Sequence, residues 1–434
     1  MKIKTITLGC KVNQYESQAI LEEFLRRGDT PAQEDETPDV IILNSCTVTA
    51  ESDHKVRQTL RRARRDAPDA VIVLTGCMVQ AFPDAAAKLP EADLVIGNAQ
   101  KSIIPDQVKT FIETHKRTVF VPDFTPGMPF EAMQVCAFQE HTRAFVKIQD
   151  GCNRFCSYCI IPYARGRIRS KLPEQLKEEL MDLANSGYRE VVLTGINLSA
   201  YGQELGLHLC DAVETACAIP GIERVRLGSL EPEQLTPGVI ARLAAQPKLC
   251  PQFHLSLQSG CDKTLKAMNR HYTTAEYAEI VQNLRAAFEN AAITTDVMVA
   301  FSGETEEDFE ASVAFVKEIG FAKVHVFPYS RRPGTRAYDL PGIVPNAEKA
   351  RRSRRMIEAA EEGRITFFKQ QVGRYETVLT ETLQPDGTVE GYTMNYTPVY
   401  VSGMQPGELG TVHITGYEPR GCVGVYCPDT ESIR

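Results

Sequence analysis

The chain has 434 residues, 43% of them hydrophobic and 24% charged, with a net charge of −8. That is a globular composition, long enough for about three domains, and it excludes disordered, collagenous and small disulfide-stapled classes. No apolar run approaches the ~18 residues needed to cross a bilayer. Lysines interrupt the first eleven residues where a secretory signal would be continuous. The expectation is a cytoplasmic protein with no membrane partner. Thirteen cysteines then need a chemical reason, because a reducing compartment does not sustain structural disulfides and the count is odd.

Over the first ~135 residues, β-branched apolar runs alternate with helix-length polar-faced segments, the pattern of βαβ units and a parallel sheet. The runs are Ile3 to Leu8, Val40 to Leu43, Val71 to Leu74 and Leu94 to Ile96. Three of them lead straight into Cys10, Cys46 and Cys77, which are separated by 36 and 31 residues. One βαβ turn takes ~30 residues, so the three thiols are expected at the carboxyl edge of one sheet, where open α/β sheets hold ligands. A metal cluster could be bound there by residues distant in sequence. Buried cysteines packing as small apolar side chains are the plainer alternative for any one of them.

From about Ala144 the alternation restarts with Phe145 to Gln149, Glu190 to Ile196, Val225 to Leu230, Phe253 to Leu257, Thr295 to Phe301 and Val324 to Tyr329. Six such strands predict a partial (β/α)6 barrel with its active site at the C-terminal strand ends. Directly after the first strand stands Cys152-Asn153-Arg154-Phe155-Cys156-Ser157-Tyr158-Cys159. Three soft thiolates in one short loop suit a four-iron cluster with one iron left open, since no nearby CxxC or HxxxH completes a four-ligand zinc site. A charged helical stretch, Asn346 to Gln371, leads to a final block of short strands and turns read as a small β-barrel. The expected domains are 1–135, 138–366 and 367–434.

CxxxCxxC with an aromatic residue before its last cysteine, opening a partial barrel, resembles the radical S-adenosylmethionine enzymes. The run from Ile148 to Gly166, together with Cys10, Cys46 and Cys77, is similar to their methylthiotransferase family in particular. The resemblance spans essentially the whole chain and implies an α/β domain with an auxiliary cluster, a radical barrel and a TRAM-like β-barrel. It implies two [4Fe-4S] clusters, held by Cys152, Cys156 and Cys159 and by Cys10, Cys46 and Cys77, with S-adenosylmethionine on the open iron of the first. Gly195, Asn197, Glu231 and Gln258, at predicted strand ends, would contribute to S-adenosylmethionine binding. Ser302 stands where the family usually has proline.

Leu8-Gly9-Cys10-Lys11-Val12-Asn13, Cys46-Thr47-Val48-Thr49 and Gly391-Tyr392-Thr393-Met394-Asn395-Tyr396 resemble the branch that methylthiolates N6-threonylcarbamoyladenosine in tRNA. The isopentenyladenosine branch usually reads Gly-Cys-Gln-Met-Asn, and the branch acting on a ribosomal-protein aspartate Gly-Cys-Xaa-Lys-Asn. Both remain alternative substrates, as does an iron-sulfur RNA-binding protein without catalysis. The implied partners are the tRNA anticodon loop and an electron donor such as flavodoxin or ferredoxin, with no DNA.

Cations suited to phosphates cluster at Lys55, Arg57, Arg61, Arg62, Arg64 and Arg65, at Arg154, Arg165, Arg167, Arg169 and Lys171, and at Arg351, Arg352, Arg354 and Arg355. No acidic residue interrupts 151–173, so Arg165, Arg167 and Arg169 are expected on RNA. The last block is acidic, and Tyr392, Tyr396 and Tyr400 are expected to stack on bases. Cys136, Cys210, Cys217, Cys250, Cys261, Cys422 and Cys427 share no frame and are read as packing residues, and His54 and His325 lack a partner motif.

Overall fold

The computed structural model describes residues 1–135 and 142–428. Cys136 and the boundary expected at 138 lie outside the described residues. The first layer is a sheet of β1 (Lys2–Thr7), β2 (Thr30–Pro31), β3 (Val40–Ser45), β4 (Val71–Gly76), β5 (Leu94–Ile96) and β6 (Thr118–Phe120). All its pairings are parallel, in the order β2-β1-β3-β4-β5-β6. Every residue of β3 and β4 is buried, as in a strand covered on both faces. Alternation sorts the two faces. Val40, Ile42, Val71 and Val73 meet Ile20, Leu21 and Phe24 of α1 (Lys11–Arg26). Ile41, Leu43, Ile72 and Leu74 meet Val56, Leu60 and Ala63 of α2 (Ala50–Asp66).

The second layer contains β7 (Arg143–Asp150), β8 (Arg169–Ser170), β9 (Glu190–Gly195), β10 (Arg224–Leu227), β11 (Ser229–Leu230), β12 (Gln252–Leu255), β13 (Ala292–Val299) and β14 (Lys323–Pro328). β10 pairs with β9 and β11 with β12, so these two pieces, parted by Gly228, act as one barrel strand. The six expected strands are thus present as a crescent, with β8 added antiparallel on the β7 edge. α1 packs against that edge and closes it.

The long helix Asn346–Gln371 lies along β14 and runs through position 366, so the expected boundary falls inside it. Its Phe367 and Phe368 plug the last unit, where β15 (Tyr375–Leu383), β16 (Val389–Tyr392), β17 (Pro398–Ser402), β18 (Leu409–Glu418) and β19 (Gly421–Tyr426) form a closed barrel. Among the described residues, no helix is long and apolar enough to cross a membrane.

Candidate active site

Cys10, Cys46 and Cys77 leave the carboxyl ends of β1, β3 and β4, and the loops that carry them touch. Gly9 has φ +127°, and a Cβ there would lie 3.1 Å from Cys46 Cβ. Gly76 has φ +104°, and a Cβ there would meet the Ser45 backbone at 2.4 Å. Both positions need glycine, the first for conformation and the second also for space. Asn13 ties the loops together, its Nδ2 donating to Leu8 O at 2.9 Å and Ser45 O at 3.0 Å. Burial pushes the Cys10 thiol up, with Arg165 opposing and Cys77 adding to the rise. Burial and Cys77 push the Cys46 thiol to about 11. The three sulfurs therefore feel one another.

Cys152, Cys156 and Cys159 sit in the loop after β7. Gly151 has φ +73°, and a Cβ there would fall 1.9 Å from Arg167 O, which shows how tightly the loop doubles back. Cys152 N donates to Gly166 O and Cys159 N to Cys156 O, each at 3.0 Å. Burial raises the Cys152 thiol to about 11, and burial with Cys156 and Cys152 raises Cys159 as well. Donors already face the sulfurs: Arg154 N reaches Cys152 Sγ at 3.4 Å, Asn197 Nδ2 the same atom at 3.8 Å, and Arg270 Nη1 reaches Cys156 Sγ at 3.3 Å. Three crowded, desolvated thiols with cationic and N–H donors fit an anionic iron-sulfur cluster, which takes thiolates and spreads their charge over several irons. Among the described residues no three His, Cys, Asp or Glu side chains gather tightly enough to share a single ion. In a cubane each thiolate takes its own iron.

The residues expected to bind S-adenosylmethionine line the same mouth. A Cβ on Gly195 would lie 2.9 Å from Gln149 Cβ. Asn197 N donates to Gln149 Oε1 at 2.7 Å, while among the described residues Asn197 Oδ1 is buried without a partner. Ser302 Oγ is likewise buried without a partner, a polar atom added where the family pattern has proline. Gln258 is held at φ +69°, and its N–H donates to Asp296 O at 2.8 Å. Glu231 is in place but engaged, paired with Arg270 and lying 3.5 Å from Arg154. A ligand ammonium or ribose would share it with those guanidiniums. Sequence reasoning missed Arg270, a lone cation with no motif. It also missed Asn98, whose Nδ2 lies 3.6 Å from Cys77 Sγ. Asn98 had a signal, because Leu94-Val95-Ile96-Gly97-Asn98 repeats the strand-end frame of the three cysteines.

The structure departs from the RNA expectation at Arg165, Arg169, Tyr392, Tyr396 and Tyr400. Arg165 is fully buried. It pairs with Glu16, donates to Asn13 Oδ1 at 2.6 Å and to Cys77 Sγ at 3.3 Å, and so reaches from the radical loop into the auxiliary site. Arg169 is buried too, 3.5 Å from Asp150 and donating to the Arg165 and Arg167 carbonyls. Of this trio only Arg167 is exposed, over the Phe155 ring. Tyr392 and Tyr396 stack on each other at 4.6 Å, with Arg143 over both rings and Arg226 4.5 Å from the Tyr396 centroid. They lie at the junction of the two barrels, where Arg224 donates to Tyr392 O and Arg226 to Met394 O, and both rings are half-buried. Tyr400 is buried with Arg420 over its ring. In the third basic group, Arg351 and Arg352 are taken by Glu306, Glu348 and Glu304. On α2, Arg64 is tied to Asp93 at 2.6 Å, whereas Arg61, Arg62 and Arg65 are 69%, 75% and 73% exposed.

The buried network around Glu16 joins the first two units. Arg165, Lys101 and Lys147 surround Glu16, and Lys147 also meets Asp150 at 2.6 Å. Burial alone would raise the Glu16 carboxyl, but Arg165, Lys101 and Lys147 hold it well below the usual range. In the same way Lys147 and Arg165 outweigh burial at Asp150 and hold it at about 2. Lys11, next to Cys10, lies apart from this network. Desolvation in the mouth, Arg143 and Arg226 bring its ammonium down to about 8.

A family model described as the radical SAM superfamily matches residues 146–316, and one described as uncharacterized protein family UPF0004 matches residues 2–97. The threonylcarbamoyladenosine tRNA methylthiotransferase MtaB of Thermotoga maritima is 36% identical, over 97% of this chain and 96% of its own. The Bacillus subtilis protein of the same name is also 36% identical, over 92% and 90%. Among solved structures, the radical S-adenosylmethionine methyltransferase TsrM from Kitasatospora setae, with cobalamin and a [4Fe-4S] cluster bound, superimposes with a TM-score of 0.57 at 15% identity, covering 78% of this chain and 74% of that one. That likeness shows the fold. With relatives at this identity over nearly the whole chain, and two cysteine triads joined through Arg165, the chain belongs to the radical S-adenosylmethionine methylthiotransferase family.

Proposed function

We propose that this chain replaces the hydrogen on carbon 2 of N6-threonylcarbamoyladenosine in tRNA with a methylthio group, using S-adenosylmethionine and two [4Fe-4S] clusters. Carbon 2 of adenine has no leaving group and no useful acidity, so polar substitution fails there. When bound, the cofactors supply a 5′-deoxyadenosyl radical and a sulfur to be methylated and inserted, and the protein supplies position and shelter.

The chain divides that work. Residues 138–366 hold the radical cluster through Cys152, Cys156 and Cys159, and residues 1–135 hold the auxiliary cluster through Cys10, Cys46 and Cys77. Residues 367–434 form the TRAM-like unit that takes part in gripping RNA. At the radical site, Arg270 and the Arg154 N–H offset thiolate charge. Gly195 lets its strand end pack against Gln149, and Asn197 on the same loop offers a buried acceptor to S-adenosylmethionine. Gln258 extends the same rim. A target base stacked in an anticodon loop has to be splayed out to reach this mouth. The electron is delivered by a low-potential donor such as flavodoxin or ferredoxin in the cytoplasm.

The observation that carries this reading is Arg165, one guanidinium that belongs to the radical loop and hydrogen-bonds an auxiliary cysteine. It fits an enzyme whose two clusters act on one atom. Mass spectrometry of tRNA nucleosides from a deletion strain tests it. Loss of the methylthio nucleoside with build-up of N6-threonylcarbamoyladenosine is expected, and an unchanged nucleoside profile would overturn it.

A further inference from the structure

We propose that Lys11 recognises the carboxylate of the threonylcarbamoyl group and so holds the target adenosine by its N6 substituent inside the barrel. This rests on the substrate reading above.

Lys11 follows Cys10, so a group bound by its ammonium lies beside the auxiliary site. The ammonium lies 5.8 Å from the centroid of the Phe145 ring. By strand alternation Arg143, Phe145 and Lys147 share one face of β7. Arg143 and Arg226 both lie against the Glu190 carboxylate on that side of the sheet, and His325 on β14, whose pKa burial and Lys323 lower, also feels the Lys11 charge, which identifies this face as the inner wall. Lys11 keeps an exposed surface at the mouth although the protein around it partly strips its ammonium of water, and among the described residues it has no hydrogen-bond or ion-pair partner. The neighbouring cations are already committed. Arg226 binds Glu190 at 3.0 Å, and Arg143 binds Glu381 at 3.0 Å while covering the two stacked tyrosines. Of these three cations, Lys11 alone is left for a ligand.

On β13 the barrel carries a carboxylate of its own, Asp296, whose side chain is 31% exposed and would repel a second anion. Threonine joined through a carbamoyl link keeps a free carboxylate, the only anionic group on the modified base. An ammonium pairs with such a group through charge-assisted hydrogen bonds, and a neutral base or an apolar N6 substituent offers it nothing. A partnerless cation also works by exclusion, because an apolar substituent would leave it desolvated and unpaired.

The test uses anaerobically reconstituted protein and anticodon stem-loops that carry N6-threonylcarbamoyladenosine, its carboxyl methyl ester or plain adenosine. Wild type is expected to bind the free acid about tenfold or more tightly than the ester, the effect of one charge-assisted hydrogen bond. In Lys11→Gln that ratio should fall to about one, and Lys11→Arg should keep most of it. Iron per chain, measured for each variant, shows that the sites are intact. A loaded Lys11→Gln protein with the wild-type ratio would overturn the assignment. If that variant fails to load, the wild-type comparison decides, and wild type that is indifferent to esterification while still methylthiolating the free acid would sink the role of Lys11 alone. Wild type that modifies none of the stem-loops would instead sink the substrate reading.

Discussion

Arg165 shows how much one side chain can carry. It is buried, it belongs to the helix Ile161–Arg165 that follows the radical triad, and it touches Glu16, Asn13 and Cys77 of the first unit. Replacing it with methionine would leave Glu16 and Asp150 short of a buried countercharge, a destabilisation on the order of 3–5 kcal/mol. Arg165→Lys should recover much of that stability, yet a lysine has no second arm to donate to Cys77 while it pairs with Glu16. Removing a donor from a cluster sulfur destabilises the reduced, more negative state. The expected outcome for Arg165→Lys is therefore a lower reduction potential of the auxiliary cluster alone, measured by potentiometric titration followed by EPR. An unchanged potential would mean that the hydrogen bond to Cys77 is only structural.

At the level of elements, the two triads are separable. Reconstituted wild type should carry about eight irons, two cubanes. Alanine at Cys152, Cys156 and Cys159 should halve the iron and abolish 5′-deoxyadenosine formation. Alanine at Cys10, Cys46 and Cys77 should halve it too but leave reductive cleavage in place and the tRNA unthiolated. Methylthio product from the second variant would refute the division. The triad of Cys10, Cys46 and Cys77 was legible because strand, turn and cysteine recur at βαβ spacing, which topology converts into a shared edge, and the triad of Cys152, Cys156 and Cys159 because its members stand together in one short loop. The same rule covered Asn98, where the strand-end residue is not a cysteine and so drew no notice. The strands β2 and β6 left little trace, being short edges of a sheet. Arg165, Arg169, Tyr392 and Tyr396 were misread for a different reason. A local run of cations or aromatics looks alike whether it faces water or buried partners, and their partners Glu16 and Arg143 lie far away in sequence.

The whole molecule carries a net charge of −8, yet α2 presents three strongly exposed arginines side by side. The ion pairs of Arg61, Arg62 and Arg65 with Glu91 and Asp66 are surface pairs worth little, so these side chains can leave them for phosphates. Alanine at all three should weaken tRNA binding and flatten the plot of log K against log salt, by roughly 0.7–0.9 for each phosphate no longer neutralised. Binding isotherms at several salt concentrations decide this. A slope equal to wild type would remove α2 from the RNA surface and leave Arg167 as the remaining exposed candidate of the trio after the radical cluster.

The seam of Arg143, Arg226, Tyr392 and Tyr396 has a bearing on where along an RNA the enzyme acts. A domain on a slack tether samples many separations, so its grip says little about which nucleotide lies under the reactive centre. Here the last unit is fixed by stacked rings, by cations over them, and by the aromatic plug of Phe367 and Phe368. The span from that unit to the barrel mouth is then a constant of the protein. If that unit grips RNA as proposed, the fixed span works as a ruler, on which one nucleotide is selected by its distance from the grip before its chemistry is read.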